Sequence, residues 1–147
     1  MISGLFLPAR PPYPFVSAEP TILGLRHEIA PVNFLIDTGA ARTCIHPLDA
    51  NLIMRIPRSR LMDARQWSSS VRGGGVGGAG RYFVEPATLT FTNDDGSPEV
   101  VETEIWIAEM TLANQRLPSL LGWDILRHFR LITDGKTVTL DRLPLAP

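Results

Sequence analysis

The chain has 147 residues, 44% of them hydrophobic and 20% charged, enough to bury one core and too few for two ordinary lobes. Its 12 glycines and 13 prolines favour short strands and tight turns over a helical bundle, so a mainly β fold is expected. The 14 basic and 15 acidic residues are scattered and sum to a net charge of -1, which gives none of the basic clustering that nucleic-acid binding needs.

Cys44 is the single cysteine, so no intrachain disulfide can form, and no metal-finger spacing surrounds it. A cytoplasmic setting is the expectation. Residues 1–8 are apolar but lack a basic n-region and break at Pro8, which reads poorly as a signal peptide. No run approaches a membrane span, so no membrane partner is expected.

In chain order, a proline-rich lead over 1–14 is expected to be a flexible segment of one domain that spans 1–147. Residues 15–23 and 31–36 read as a strand pair around a polar bend at 24–28, and 43–45 as a further short strand. Pro47 opens a helical turn over 47–54. Residues 55–70 have a weak pattern and carry Arg55, Arg58, Arg60 and Arg65, which reads as a surface connection. Alternation then places Phe83, Leu89 and Phe91 on one face of 82–92, and Val101, Ile105 and Ile107 on one face of 99–107. Asn93-Asp94-Asp95-Gly96 between these two runs is a hairpin turn signal. A short helix is expected over 123–129, followed by a closing hairpin turned at Asp134-Gly135.

Asp37-Thr38-Gly39-Ala40 follows the apolar run Val32-Asn33-Phe34-Leu35-Ile36. A carboxylate at the end of a buried strand is costly unless it is hydrogen-bonded or shares a proton, and such acids cluster at functional sites. The tripeptide alone is equally an ordinary turn. Its company changes the weighting, because a glycine-rich stretch and then Leu120-Leu121-Gly122 leading into a helix follow in order.

Together these motifs resemble the retropepsins, the retroviral-type aspartic proteases, over about 15–140. The resemblance implies a closed, barrel-like β fold with one short C-terminal helix and a glycine-rich flap hairpin. It implies Asp37 as the catalytic acid, Thr38 as a hydroxyl bracing paired loops across a dimer, and Gly39 as a backbone contact to substrate. Leu120-Leu121-Gly122 would pack beneath the active loop. Gly74, Gly75, Val76 and Gly77 would lie at the flap tip over the substrate, with Ala40, Pro118 and Leu120 also facing it.

An aspartic mechanism needs two carboxylates sharing one proton, one activating water and the other donating to the scissile carbonyl. Only one Asp-Thr-Gly is present, so the second must come from another copy in a two-fold homodimer. The expected activity is endopeptidase cleavage of extended protein or peptide substrates, with apolar residues favoured beside the cut bond and no cofactor or metal implied. Ala40 offers no hydroxyl to the carboxylate, which implies a mildly acidic optimum.

Retropepsins commonly carry an acid two residues after the catalytic glycine and an arginine after the helix glycine, forming an ion pair. Here those positions are Ala41 and Trp123, an apolar substitute for the pair. Residues 51–70 read as an inserted loop. Cys44 is expected as a small buried hydrophobe beside the pocket, and Trp106 and Trp123 as core or interface side chains. His27, His46 and His128 form no recognisable zinc motif.

Two other classes of function compete. One is a catalytically silent module of the same fold that binds peptides or dimerises. The other is nucleotide binding by the glycine run, which satisfies G-x-G-x-x-G but leads into a strand and lacks a phosphate-loop lysine. Residues 6–13 and 137–145 either supply intersubunit strands or flank the barrel, and the sequence leaves both open.

Overall fold

A computed structural model describes residues 1–9, 12–73 and 80–145. The chain is mainly β, as expected. Among the described residues ten strands form one sheet: β1 (Ile2–Leu7), β2 (Tyr13–Ile22), β3 (Val32–Ile36), β4 (Cys44–Ile45), β5 (Ser70–Gly73), β6 (Gly80–Thr92), β7 (Pro98–Ala108), β8 (Ser119–Leu121), β9 (Phe129–Thr133) and β10 (Val138–Arg142). The order is β5-β6-β7-β4-β8-β3-β2-β1-β10-β9, and an added pairing of β6 with β2 closes the six strands from β6 to β2 into a ring.

Ring closure follows from length and alternation. β6 is thirteen residues long, so one stretch pairs along β7 from Tyr82↔Ala108 to Thr92↔Pro98 while Ala87–Thr90 also take β2. Phe83, Leu89 and Phe91 point inward and are fully buried, as are Ile105 and Ile107 from β7. The turn between them is the expected one: Asn93 N–H donates to Ser97 O at 2.8 Å, and Gly96 holds φ +84°, a conformation that glycine adopts without strain.

Among the described residues three short α-helices join the strands, α1 (Pro47–Leu52), α2 (Arg58–Leu61) and α3 (Trp123–Leu126), with a 3-10 turn at Ala64–Gln66. The helix expected over 123–129 stops at Leu126, because Phe129 is taken up by the β9–β10 ladder opposite Arg142.

Residues 55–70 are not a surface connection. Ile56 and Leu61 are fully buried, and Trp67 stacks on Phe83 with centroids 4.7 Å apart at 5°. The Trp67 indole donates to Arg60 O at 2.8 Å, so this segment plugs one side of the barrel; Arg55, Arg58 and Arg65 are exposed, while Arg60 is half-buried with its guanidinium 5.5 Å over the Trp67 ring. The lead over 1–14 also differs from expectation, since β1 pairs with β10 through Ile2↔Leu140 and with β2 through Leu5↔Phe15.

Candidate active site

Asp37 follows β3, whose Val32, Phe34 and Ile36 are buried, so the core anchors the strand up to the residue before the acid. β3 runs parallel to β8, pairing Ile36 with Leu121, and Asp37 N–H extends the ladder by donating to Leu121 O at 3.1 Å. The chain then turns sharply: Ala40 N–H donates to Asp37 O at 3.1 Å, and Gly39 N–H to Asp37 Oδ1 at 2.9 Å. Asp37 is half-buried, with Thr38 and Gly39 exposed beside it. Its Oδ2 takes no hydrogen bond from the described residues and is available to a water or a second acid.

Leu120-Leu121-Gly122 does lie against this loop. A Cβ on Gly122 would stand 2.6 Å from Arg42 C and 2.9 Å from Ala40 O, so only glycine permits the crossing. Trp123 N–H donates to Ala40 O at 2.9 Å and Asp124 N–H to Ala41 O at 3.2 Å. The Trp123 indole donates to Thr38 O at 2.6 Å, leaving the ring 48% exposed.

Thr43 and Asp124, which sequence reasoning did not single out, form the main brace. Asp124 Oδ1 accepts from Thr43 N–H at 2.9 Å and Thr43 Oγ1–H at 2.7 Å, and Thr43 Oγ1 accepts from Gly122 N–H at 3.0 Å. Asp124 also accepts its own helix's Ile125 N–H at 3.0 Å, where the N-terminal dipole of α3 favours negative charge. These charge-assisted hydrogen bonds lie next to Ala41 and Trp123, the positions expected to substitute apolar groups for an ion pair. The signal was an acid and a hydroxyl that follow Gly122 and Arg42, but only the fold shows that they meet.

The loop opens into a cavity of about 360 Å³ lined by Asp37, Gly39, Ala40 and Leu120, all expected to face substrate or reacting atoms. Arg42, Cys44, His46, Tyr82 and Trp106 complete much of its wall, and Trp106 is thus a pocket residue rather than simply core. Tyr82 and Trp106 pack with tilted rings 5.3 Å apart, and the Arg42 guanidinium lies 6.0 Å over the Trp106 ring. Arg42 has no carboxylate partner among the described residues. Pro118 is not among the lining residues; its carbonyl instead takes the His46 Nδ1–H at 2.6 Å. The flap residues Gly74, Gly75, Val76 and Gly77 fall outside the described residues.

Burial pushes the Cys44 thiol up to about 12, so it stays protonated and acts as the small buried hydrophobe expected. Burial also lowers the pKa of His46 below its ordinary value, against the opposing pull of the Pro118 carbonyl and Asp49. Ser119 Oγ links this corner by accepting His46 N–H at 3.1 Å and donating to Asp49 Oδ2 at 2.6 Å. Among the described residues no three His, Cys, Asp or Glu side chains gather as a metal ion would require, and no helix is long and apolar enough to cross a membrane.

Among the described residues of one chain, the site thus offers a single carboxylate on a hydrogen-bonded loop beside a mostly apolar cavity. Such a group can act as a base towards water but cannot by itself also supply the proton that a scissile carbonyl needs. In comparisons with known proteins, no family model matches the chain and no curated protein matches it.

Proposed function

We propose that the protein is a retropepsin-like aspartic endopeptidase that works as a homodimer. Asp37 from each copy would share one proton: one carboxylate takes a proton from water as it attacks the scissile carbonyl, and the other protonates the carbonyl oxygen. The two would titrate as a pair. The observation that carries this reading is the Asp37 loop, braced by the Gly122 crossing and the Thr43–Asp124 bonds and facing a cavity of about 360 Å³. A site that must hold a carboxylate in one geometry is built this way, and an ordinary Asp-Thr-Gly turn has no need of such support.

The proposed substrate is an extended polypeptide with side chains entering the Leu120–Trp106 wall, and no cofactor takes part. The reading includes a cytoplasmic location. The experiment is incubation of the full chain and of Asp37→Asn with a diverse peptide library from mildly acidic to neutral pH, with new termini read by mass spectrometry. Cleavage by the wild type alone supports the proposal. A folded dimer that binds peptides without cutting them replaces it with the silent binding module.

A further inference from the structure

α1 carries apolar side chains on two faces. Pro47, Ala50 and, just past its end, Met54 are buried, while Leu48 and Leu52, one helical turn apart, stand 44% and 52% exposed on the other side. These outward leucines give the helix a second apolar face that the described residues leave uncovered. They form one wall of a groove of about 130 Å³, closed by Met110 opposite and by Pro47. Small-molecule sites measure about 300–1,000 Å³, so this volume suits a single aliphatic side chain rather than a metabolite. The groove shares no lining residue with the Asp37 cavity: His46 faces one and its neighbour Pro47 the other.

The unpaired charge around the groove is mostly positive. Arg58 lines it, Arg55 lies between Leu52 and Arg58 in the chain, and Arg116 follows the lining residue Gln115. None of the three meets a carboxylate among the described residues. The acids nearby in the chain are engaged: Asp49 accepts from Ser119 Oγ at 2.6 Å, Asp63 pairs with Arg65 at 2.9 Å and Glu109 with Arg81 at 3.7 Å. Glu28 reaches the end of α1 through its N–H to Met54 O at 2.8 Å without ion-pairing to Arg55.

Arg55 sits where a side chain is disfavoured. Ile56 N–H donates back to Ala50 O at 3.0 Å as α1 ends, and Arg55 within that closure holds φ 59°. Helix ends give this left-handed position to glycine, so the arginine is strained there and supplies a guanidinium that the turn itself does not require.

We propose that this groove docks an acidic peptide segment of a partner protein. One aliphatic side chain enters between Leu48, Leu52 and Met110, and carboxylates flanking it meet Arg55, Arg58 and Arg116. The apolar anchor supplies most of the affinity, and the arginine–carboxylate bonds fix the register. Two amides on the lining, Asn51 and Gln115, suit a peptide backbone: Asn51 gives its Nδ2–H to Ile56 O at 3.0 Å, which leaves its carbonyl to accept an N–H. A concave wall with such amides favours a peptide over a membrane surface, which offers no backbone to pair with. This docking is separate from the Asp37 chemistry and does not depend on it.

The test uses the full chain and a fluorescent peptide, Glu-Asp-Glu-Leu-Glu-Asp-Glu, with binding read by polarisation and mapped by amide NMR shifts. Versions with alanine for the leucine, or with glutamine and asparagine for the acids, should bind at least about tenfold more weakly, and rising salt should weaken the parent peptide. Shifts should centre on Leu48, Leu52, Arg58 and Gln115 rather than on Asp37 and Trp106. Arg58→Glu, at an exposed position that keeps the fold, should weaken binding about tenfold or more, and Arg42→Glu in the other cavity should leave it unchanged. Arg55→Gly relieves the strained turn, so Tm should hold or rise while affinity falls about two- to fivefold; a lowered Tm with unchanged affinity would make Arg55 merely structural and refute its part. No binding at about 1 mM peptide, shifts confined to the Asp37 cavity, or indifference to Arg58→Glu overturns the inference. So does broadening of the groove amides with protein concentration alone, which assigns the face to a second copy. Sedimentation with phosphatidylserine vesicles that Leu52→Ser abolishes would assign it to a membrane and overturn the inference as well.

Discussion

Thr43→Val replaces a hydroxyl with a methyl of nearly the same shape at a fully buried position, which isolates the brace under the Asp37 loop. Two bonds are lost: the donation to Asp124 Oδ1 at 2.7 Å and the acceptance of Gly122 N–H at 3.0 Å. A hydrogen bond to a charged acceptor contributes about 1.5–3 kcal/mol, and a buried N–H left unpaired costs about 1–3 kcal/mol. The two Thr43 N–H contacts to Asp124 survive, since they use backbone. A loss of about 3 kcal/mol is therefore expected, or about 6–12 °C in Tm for a chain of this size. Urea unfolding followed by tryptophan fluorescence measures it, and Thr43→Ser should recover most of the loss. A Thr43→Val protein within about 0.5 kcal/mol of wild type would refute the reasoning that these bonds hold the loop.

Gly122→Ala drives a Cβ into the Arg42 and Ala40 backbone, which cannot rotate away, so it should destabilise by about 3 kcal/mol or leave the chain insoluble, read by denaturant titration. His46 is buried neutral with a pKa below 6.5, so the unfolded chain binds its proton more readily. Its contribution is complete above pH 6.5 and shrinks as pH falls from there towards the folded value; His46→Asn, which keeps a donor for Pro118 O, should show a shallower fall in Tm from about pH 7 to 5.5. Arg42 offers the cavity an unpaired guanidinium over Trp106, so peptides with an acidic side chain in that subsite should be preferred. Arg42→Glu should reverse the preference by on the order of tenfold in kcat/KM, and unchanged ranking of Glu, Gln and Leu peptides would contradict it.

What was legible in the sequence was local. Phe83, Leu89 and Phe91 alternate, and the fold buries all three on one face. Asn93-Asp94-Asp95-Gly96 carries the positive φ that its glycine announces. Asp37 ends a core strand, as the apolar run before it implied. The misses were of another kind. Ile56, Leu61 and Trp67 have neither a period of two nor of 3.6, so their burial depends on the open side of the barrel they fill. β1 hides behind the prolines that follow it, and its pairing partner β10 lies at the far end of the chain. Thr43 and Asp124 are separated by 81 residues, and their meeting depends on the parallel β3–β8 pairing that no local pattern encodes. Pro118 was expected to line the pocket, but its carbonyl is spent on His46.

The central claim is that one site needs Asp37 from two copies, and mixed dimers test it most directly. Wild type and Asp37→Asn are combined in varying ratio, allowed to exchange subunits, and assayed for peptide cleavage at constant total protein. If both carboxylates act together, only dimers with two wild-type copies cut, and activity follows the square of the wild-type fraction, about a quarter at equal mixing. Activity that falls in direct proportion, about half at equal mixing, would mean each chain works alone and contradict the account.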